Sequence, residues 1–231
     1  MKKIIFLFLF LYSKIFADSF LVAIASNLEP LFEESKKTYK PNLEIISASS
    51  GKLALQIKNG APYSVFISAD SDLTENLYTE NLADKKPIPF ADAYLVFISK
   101  ANLKLKDIHN SKIIGIPNPE TSPFGRAAKK ILDEMKMDSL EKKFVYVQSV
   151  SHGNHIYESN LVDSLFTSYS YTILKPEIQS QKIAKIRHSL LFLKSCSVKK
   201  ENCAIFEKFI YSYEFQILLK KYGYESLLQN Q

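Results

Sequence analysis

Short β-rich runs alternate with helical stripes along most of this chain, and that alternation limits its fold more than any other property of the sequence. Residues 20–25, 43–48, 65–69, 94–99, 113–116 and 144–147 read as strands. Between them, Leu28, Leu31, Phe32 and Ser35 recur at helical spacing after Asn27, and Phe124, Ala127, Ala128, Ile131, Leu132 and Met135 make an i, i+3, i+4, i+7 stripe. The stretch from Ala204 to Tyr222 reads as one amphipathic helix ended by Gly223. Strands that alternate with helices predict parallel sheets covered on both faces, with any ligand at the C-terminal ends of strands. A change in composition at Lys85–Pro89 (KKPIP) predicts a boundary, with a second unit starting at the strand from Tyr94. No repeats or low-complexity segments occur.

The N-terminus reads as a secretory leader. Lys2 and Lys3 precede an apolar run from Ile4 to Tyr12 that is too short to span a bilayer, and Phe16-Ala17 before Asp18 predicts cleavage after Ala17. No cysteine follows the run, which argues against a lipoprotein, and no later segment is long and apolar enough to cross a membrane. About 210 residues remain, enough for one large domain or two lobes with a full core. The formal charge of +6 falls to about +3 without Lys2, Lys3 and Lys14. The remaining lysines are interspersed with acidic residues, a solvated surface and not a nucleic-acid footprint. Cys196 and Cys203 are the two cysteines, and an exported chain favours a disulfide between them.

Three strand-to-helix junctions share one design. Ala25-Ser26-Asn27 precedes Leu28-Glu29-Pro30, Ser49-Ser50-Gly51 precedes Lys52-Leu53-Ala54, and Ser122-Pro123-Phe124-Gly125 opens the stripe that contains Ile131. Each is also an ordinary N-cap sequence. Converging, they would form a cleft lined with N–H and O–H donors, with Gly51 and Gly125 letting the backbone approach a ligand. Neutral donors and helix dipoles suit a tetrahedral oxyanion.

These same residues resemble the molybdate-binding proteins of molybdate ABC transporters. Ala25-Ser26-Asn27-Leu28 is similar to the family's first ligand loop. Ser49-Ser50-Gly51-Lys52-Leu53, then Gln56-Ile57, Gly60-Ala61-Pro62 and Phe66-Ile67-Ser68-Ala69-Asp70, is similar to the second. Ser122-Pro123-Phe124-Gly125 and Gln148-Ser149-Val150-Ser151 resemble the third and fourth, and Lys221-Tyr222-Gly223-Tyr224 the C-terminal ending. The likeness covers nearly the whole mature chain and is weakest from His152 to Ser195. It implies an α/β chain with the type II periplasmic-binding-protein fold: two lobes with mixed sheets and a ligand cleft between them. Lobe 1 would comprise residues 18–89 and 188–231, and lobe 2 residues 90–187. The resemblance further implies a periplasmic monomer that is not an enzyme. It would carry molybdate and tungstate to an inner-membrane ABC permease, with no cofactor, no bare metal cation and no nucleic-acid partner. Ser26 and Ser50 would bind the anion by hydroxyl and N–H, Asn27 would add contacts, and Phe124 and Val150 would give backbone N–H groups. Many members donate a tyrosine hydroxyl from a further segment; the corresponding position here is Ser168, followed by Tyr169.

Selection against sulfate would follow from size, since fixed donors around a larger cavity leave the smaller dianion under-bonded. Phosphate carries a proton and needs an acceptor, which a donor-only site lacks. Other motifs are weaker. Ser49 and Lys52 form S-x-x-K, the start of a serine acyl-enzyme site, but its partners Ser-Asp-Asn and Lys-Thr-Gly do not occur. Gly51-Lys52 is not a P-loop, because Ile46 stands where its first glycine is required. His152 and His155 share a helical face without a third metal ligand nearby. Asp70 reads as the cap of a helix from about Asp72, and Asp163 as a residue in or beside a strand. Carboxylates would repel an oxyanion, so neither is placed at the ligand.

Overall fold

The computed structural model describes residues 20–39 and 43–228. The leader expected at residues 1–17 lies outside them. Among the described residues nine strands form one sheet: β1 (Phe20–Ala25), β2 (Leu43–Ala48), β3 (Val65–Ser68), β4 (Ile88–Ser99), β5 (Ile114–Pro117), β6 (Phe144–Val147), β7 (Ser164–Ser168), β8 (Gln181–Phe192) and β9 (Glu225–Ser226). Their order is β2-β1-β3-β8-β4-β7-β5-β6, with β9 paired to β4. The helices are α1 (Glu29–Ser35), α2 (Ser50–Lys58), α3 (Ser71–Thr79), α4 (Pro123–Glu134), α5 (Val150–Glu158), α6 (Tyr169–Thr172), α7 (Lys200–Ile210) and α8 (Tyr213–Lys221).

The six strands read from the sequence are present, and the chain is a two-lobed α/β protein with a mixed sheet. One half of the sheet holds parallel β2, β1 and β3, and the other parallel β7, β5 and β6. The alternation predicted parallel pairing alone. What it did not predict is the pair that joins the halves: β4 and β8 are 12 residues each, antiparallel to one another and to their outer neighbours β7 and β3. The boundary expected at Lys85–Pro89 therefore runs into a continuous strand, bent by a register shift between Pro89 and Ala91.

Strand alternation puts apolar residues on both faces of the sheet, which is why helices cover both. Phe20, Val22 and Ile24 pack with Phe32 of α1, Phe206 of α7 and Phe215 of α8; Leu21 and Ala23 pack the other way, with Leu53 and Ile57 of α2 and Leu77 of α3. Each such large side chain removed from water contributes roughly 1.5–3 kcal/mol. The stripe of α4 likewise buries Phe124, Ala128 and Leu132.

One helix is corrected to two. The expected run from Ala204 to Tyr222 breaks after Ile210, because Ser212 acts as an N-cap: its hydroxyl accepts the Phe215 N–H at 3.3 Å. Gln216 Nε2 donates to the freed Ile210 carbonyl at 2.8 Å, so the break leaves no orphan there. Cys196 and Cys203 form the expected disulfide, Cα–Cα 5.8 Å, which ties the exit of β8 to α7. Among the described residues no helix is long and apolar enough to cross a membrane.

Candidate functional site

Parallel neighbours in register end together, and the site is built from that fact. Ala25 of β1 lies opposite Ala48 of β2, so Ser26-Asn27 and Ser49-Ser50 leave the sheet side by side. On the other half, Pro117 pairs with Val147, so the segment leading to α4 and the segment leading to α5 also leave together. The two sets of strand ends meet at a seam. Val150 N–H donates to Ser26 Oγ at 3.2 Å, and Gly51 N–H donates to the Thr121 carbonyl at 2.9 Å. Two side-chain contacts flank them: Arg126 pairs with Asp70, and Glu29 accepts hydrogen bonds from both Ser47 and Ser151. A Cβ on Gly51 would stand 2.9 Å from the Thr121 oxygen, so only glycine allows this approach.

Ser26, Asn27, Ser50, Phe124, Val150 and Ser168 are all buried here. Ser50 Oγ accepts the Ala69 N–H at 3.0 Å. Ser26 and Ser50 thus each accept a backbone N–H, which leaves each hydroxyl hydrogen able to donate elsewhere. Ser168 is placed differently. Ser170 Oγ donates to the Asn27 carbonyl at 3.1 Å, so the 2.9 Å contact between Ser168 and Ser170 uses the Ser168 hydrogen. Tyr169 is turned away. Its ring packs beside Gly223, with Lys182 Nζ 4.6 Å from its centroid.

A buried polar group that sequence reasoning missed lies behind Asn27. The Asn27 amide donates to His188 Nε2 at 2.9 Å and to the Tyr224 hydroxyl at 2.8 Å, and Tyr224 donates back to the Asn27 carbonyl at 2.7 Å. Burial holds the His188 pKa down to about 4 and pushes the Tyr224 phenol up, so both are neutral over the physiological range. Nothing local marks these partners, which lie 161 and 197 residues from Asn27. The Tyr224 motif was visible, but as an ending and not as a wall of the site.

As a site residue Ser49 reads from the sequence only as the start of a serine acyl-enzyme site, and Thr121 is not singled out. The Ser49 and Thr121 hydroxyls are buried and have no hydrogen-bond partner among the described residues. Lys52 is exposed on α2, so the Ser49 hydroxyl has no base bonded to it. Asp70 caps α3 as expected, accepting the Asp72 N–H at 2.9 Å. Asp163 precedes β7 and accepts the Lys112 and Ile113 N–H groups at 2.8 and 2.9 Å. His152 and His155 are exposed, and no group of three or more His, Cys, Asp or Glu side chains among the described residues is placed to hold a metal ion.

A mixed sheet in two halves, joined by two long antiparallel strands and lined at the seam by helix N-termini, defines the class of two-lobed binding proteins that close on a small solute. The chain belongs to the bacterial extracellular solute-binding protein family, whose profile matches residues 15–225. It is 25% identical over 187 residues to the molybdate-binding protein ModA of Rhodobacter capsulatus, covering 76% of this chain and 74% of that one. Its fold is that of the periplasmic molybdate-binding protein of Azotobacter vinelandii, with a TM-score of 0.80 at 24% identity, covering 91% of this chain and all of that one. The sulfate-binding protein SubI of Mycobacterium tuberculosis also shares it, with a TM-score of 0.71 at 16% identity over 90% and 86% of the two chains.

Proposed function

We propose that the seam binds a tetrahedral dianion, molybdate or tungstate, and that the loaded protein delivers it to an ABC permease from the periplasm. The observation that carries this reading is the state of the two serines. Ser26 and Ser50, on adjacent strand ends, each accept a backbone N–H and so each present a hydroxyl hydrogen to a common partner. Backbone N–H groups in the first turns of α2 and α4, among them that of Phe124, add donors that no intrahelical carbonyl can use. The Val150 N–H would turn from Ser26 to the anion, and the unpaired Ser49 and Thr121 hydroxyls take the place of the family's tyrosine donor. Ser168 then supports the wall behind Asn27, and Tyr169 stands outside.

The lobes on this reading are residues 18–89 with 188–231, and residues 90–187. Their limits fall where β4 and β8 cross, beside the Pro89/Ala91 register shift. Anion binding favours the closed arrangement because only there do donors of both halves reach one ligand. The test is a calorimetric titration with molybdate, tungstate, sulfate and phosphate. Molybdate and tungstate should bind, with sulfate much weaker and phosphate silent. Ser50→Ala should weaken molybdate binding at least ~10-fold, the loss of one hydrogen bond to a charged acceptor. Tight sulfate binding with weak molybdate binding would reassign the ligand, and no heat with any of the four would end the oxyanion reading.

A further inference from the structure

We propose that His188 and Tyr224 are positioning residues of the anion site: together they take both hydrogens of the Asn27 side-chain amide, so that Asn27 meets the anion through its backbone N–H alone. The proposal rests on the oxyanion reading above and deepens it.

The assignment follows from which atoms can donate. His188 Nδ1 lies 3.2 Å from the Ile186 carbonyl oxygen, which has no hydrogen to give, so the ring hydrogen is on Nδ1. Nε2 is then an acceptor, and Asn27 Nδ2 donates to it at 2.9 Å. The second amide hydrogen goes to the Tyr224 oxygen at 2.8 Å, while the Tyr224 hydrogen goes to the Asn27 carbonyl at 2.7 Å. All three side chains are buried, and each donor in this ring has one acceptor. Asn27 Oδ1 stands 3.2 Å from the same Nε2, and rotating the amide would set that oxygen against the Tyr224 oxygen, whose hydrogen is already given to the Asn27 backbone carbonyl. No side-chain hydrogen of Asn27 is left for a ligand, and its remaining lone-pair oxygen would repel one. Its backbone N–H is in the first turn of a short 3-10 helix, Ser26–Leu28, where no intrahelical carbonyl can reach it.

The positions of the two partners give the ring its reach. His188 pairs with Ala91 where β8 crosses β4, beside the register shift. Its ring meets those of Phe124 and Tyr224 edge-on, with centroids 6.4 and 5.8 Å away. Tyr224 is anchored by the next residue: Glu225 in β9 accepts from the Tyr94 hydroxyl at 2.5 Å and from Lys185 at 3.1 Å. The C-terminal tail and the crossing strand therefore set the angle at which the first junction presents its N–H groups.

The experiment compares molybdate affinity in the full chain and three variants. Tyr224→Phe keeps the ring and removes one donor and one acceptor; it should weaken binding about 10-fold. His188→Ala should weaken it at least as much, and His188→Gln, which restores an acceptor oxygen, should recover part of the loss. If Asn27 instead gave a side-chain hydrogen to the anion, Tyr224→Phe would release that hydrogen and bind as tightly as wild type or more so; that result overturns the proposal. Nitrogen NMR of wild-type His188 supplies a readout independent of ligand and of folding losses, and should show hydrogen on Nδ1 and none on Nε2. Hydrogen on Nε2 overturns the assignment. Wild-type protein with neither heat nor a thermal shift in molybdate removes the oxyanion reading itself, and this proposal with it.

Discussion

The first two junctions of the site look alike in sequence and differ in how they are held. At the first, the Asn27 carbonyl and amide make four buried hydrogen bonds to His188, Tyr224 and Ser170. At the second, Ser50 Oγ accepts one N–H from Ala69, Ser49 Oγ has no partner among the described residues, and the Gly51 N–H is bonded to Thr121 in the opposite half of the sheet. The Asn27 amide, held by the crossing strand and the C-terminal tail, is preorganised, while the bonds of Ser26 to Val150 and of the Asn27 carbonyl to Ser170 run to the other half. Bonds that run to the other half, such as that of Gly51 to Thr121, are completed only when the halves meet, and the second junction has no buried side-chain ring like that of Asn27 behind it. On the oxyanion reading, binding strength would draw on the first property and the signal of occupancy on the second.

Substitutions at two glycines separate fold from closure. A Cβ on Gly125 would lie 1.9 Å from the Pro117 oxygen in the same half of the molecule, with the Pro117 and Asn118 carbonyl carbons at 2.7 and 2.9 Å. Gly125→Ala should therefore damage the fold itself, costing roughly 3 kcal/mol or more in chemical denaturation. An unfolding midpoint equal to wild type would show that α4 can slide away from β5 at no cost.

Acid should reach the first junction before the second, because only the first rests on a buried imidazole. The His188 pKa is about 4 in the fold and ordinarily near 6.5. As pH falls from 6.5 towards 4 the unfolded chain takes up a proton that the folded chain refuses, so stability drops, by roughly 3 kcal/mol over the whole interval. Above pH 6.5 this group adds no slope. Denaturation midpoints of wild type and His188→Gln between pH 7.5 and 4.5 should diverge at the top of the range and converge at the bottom; parallel curves would refute the buried neutral ring.

The smallest effect is expected where the second junction meets Thr121. Gly51→Ala puts a Cβ 2.9 Å from an oxygen across the seam and touches nothing within its own half that closely. Ligand-free stability should match wild type, while molybdate affinity falls about 10-fold, near 1.4 kcal/mol. Equal losses in both measurements would mean that the seam belongs to the fold and does not open.

Legibility in the sequence followed the range of the forces involved. Strands such as Phe20–Ala25, buried on both faces, are continuous apolar runs and were read at once. β8 was missed because its first half, from Gln181 to Lys185, is mostly exposed and lysine-bearing, and only 188–192 is continuously buried. β7 reads only as a strand in or beside which Asp163 lies, without bounds, because three of its five residues are Ser or Thr, buried but polar. The serines and glycines of the site were legible because each stands at a strand-to-helix junction, a local signal, although Ser49 and Ser122 make no side-chain cap bond. His188 and Tyr224 were not, because their role is defined by a partner at the far end of the chain. The helix break at Ser212 was written in the sequence, as a serine three residues before Phe215, but the apolar stripe on either side concealed it.

The crossing of β8 between the halves also fixes the order in which the chain can fold. β3 has β1 on one side and β8 on the other, with Val65 opposite Phe192. β1, β2 and β3 pair with one another locally, but until β8 arrives the outer edge of β3 is bare, and its pairing awaits the closure of a loop of more than half of the protein's length. Contacts of such separation make folding slow, and a bare apolar edge invites pairing with another chain. Slow closure keeps the polypeptide threadable for longer, an advantage under the proposed periplasmic location and a hazard if the chain is held at high concentration on the way.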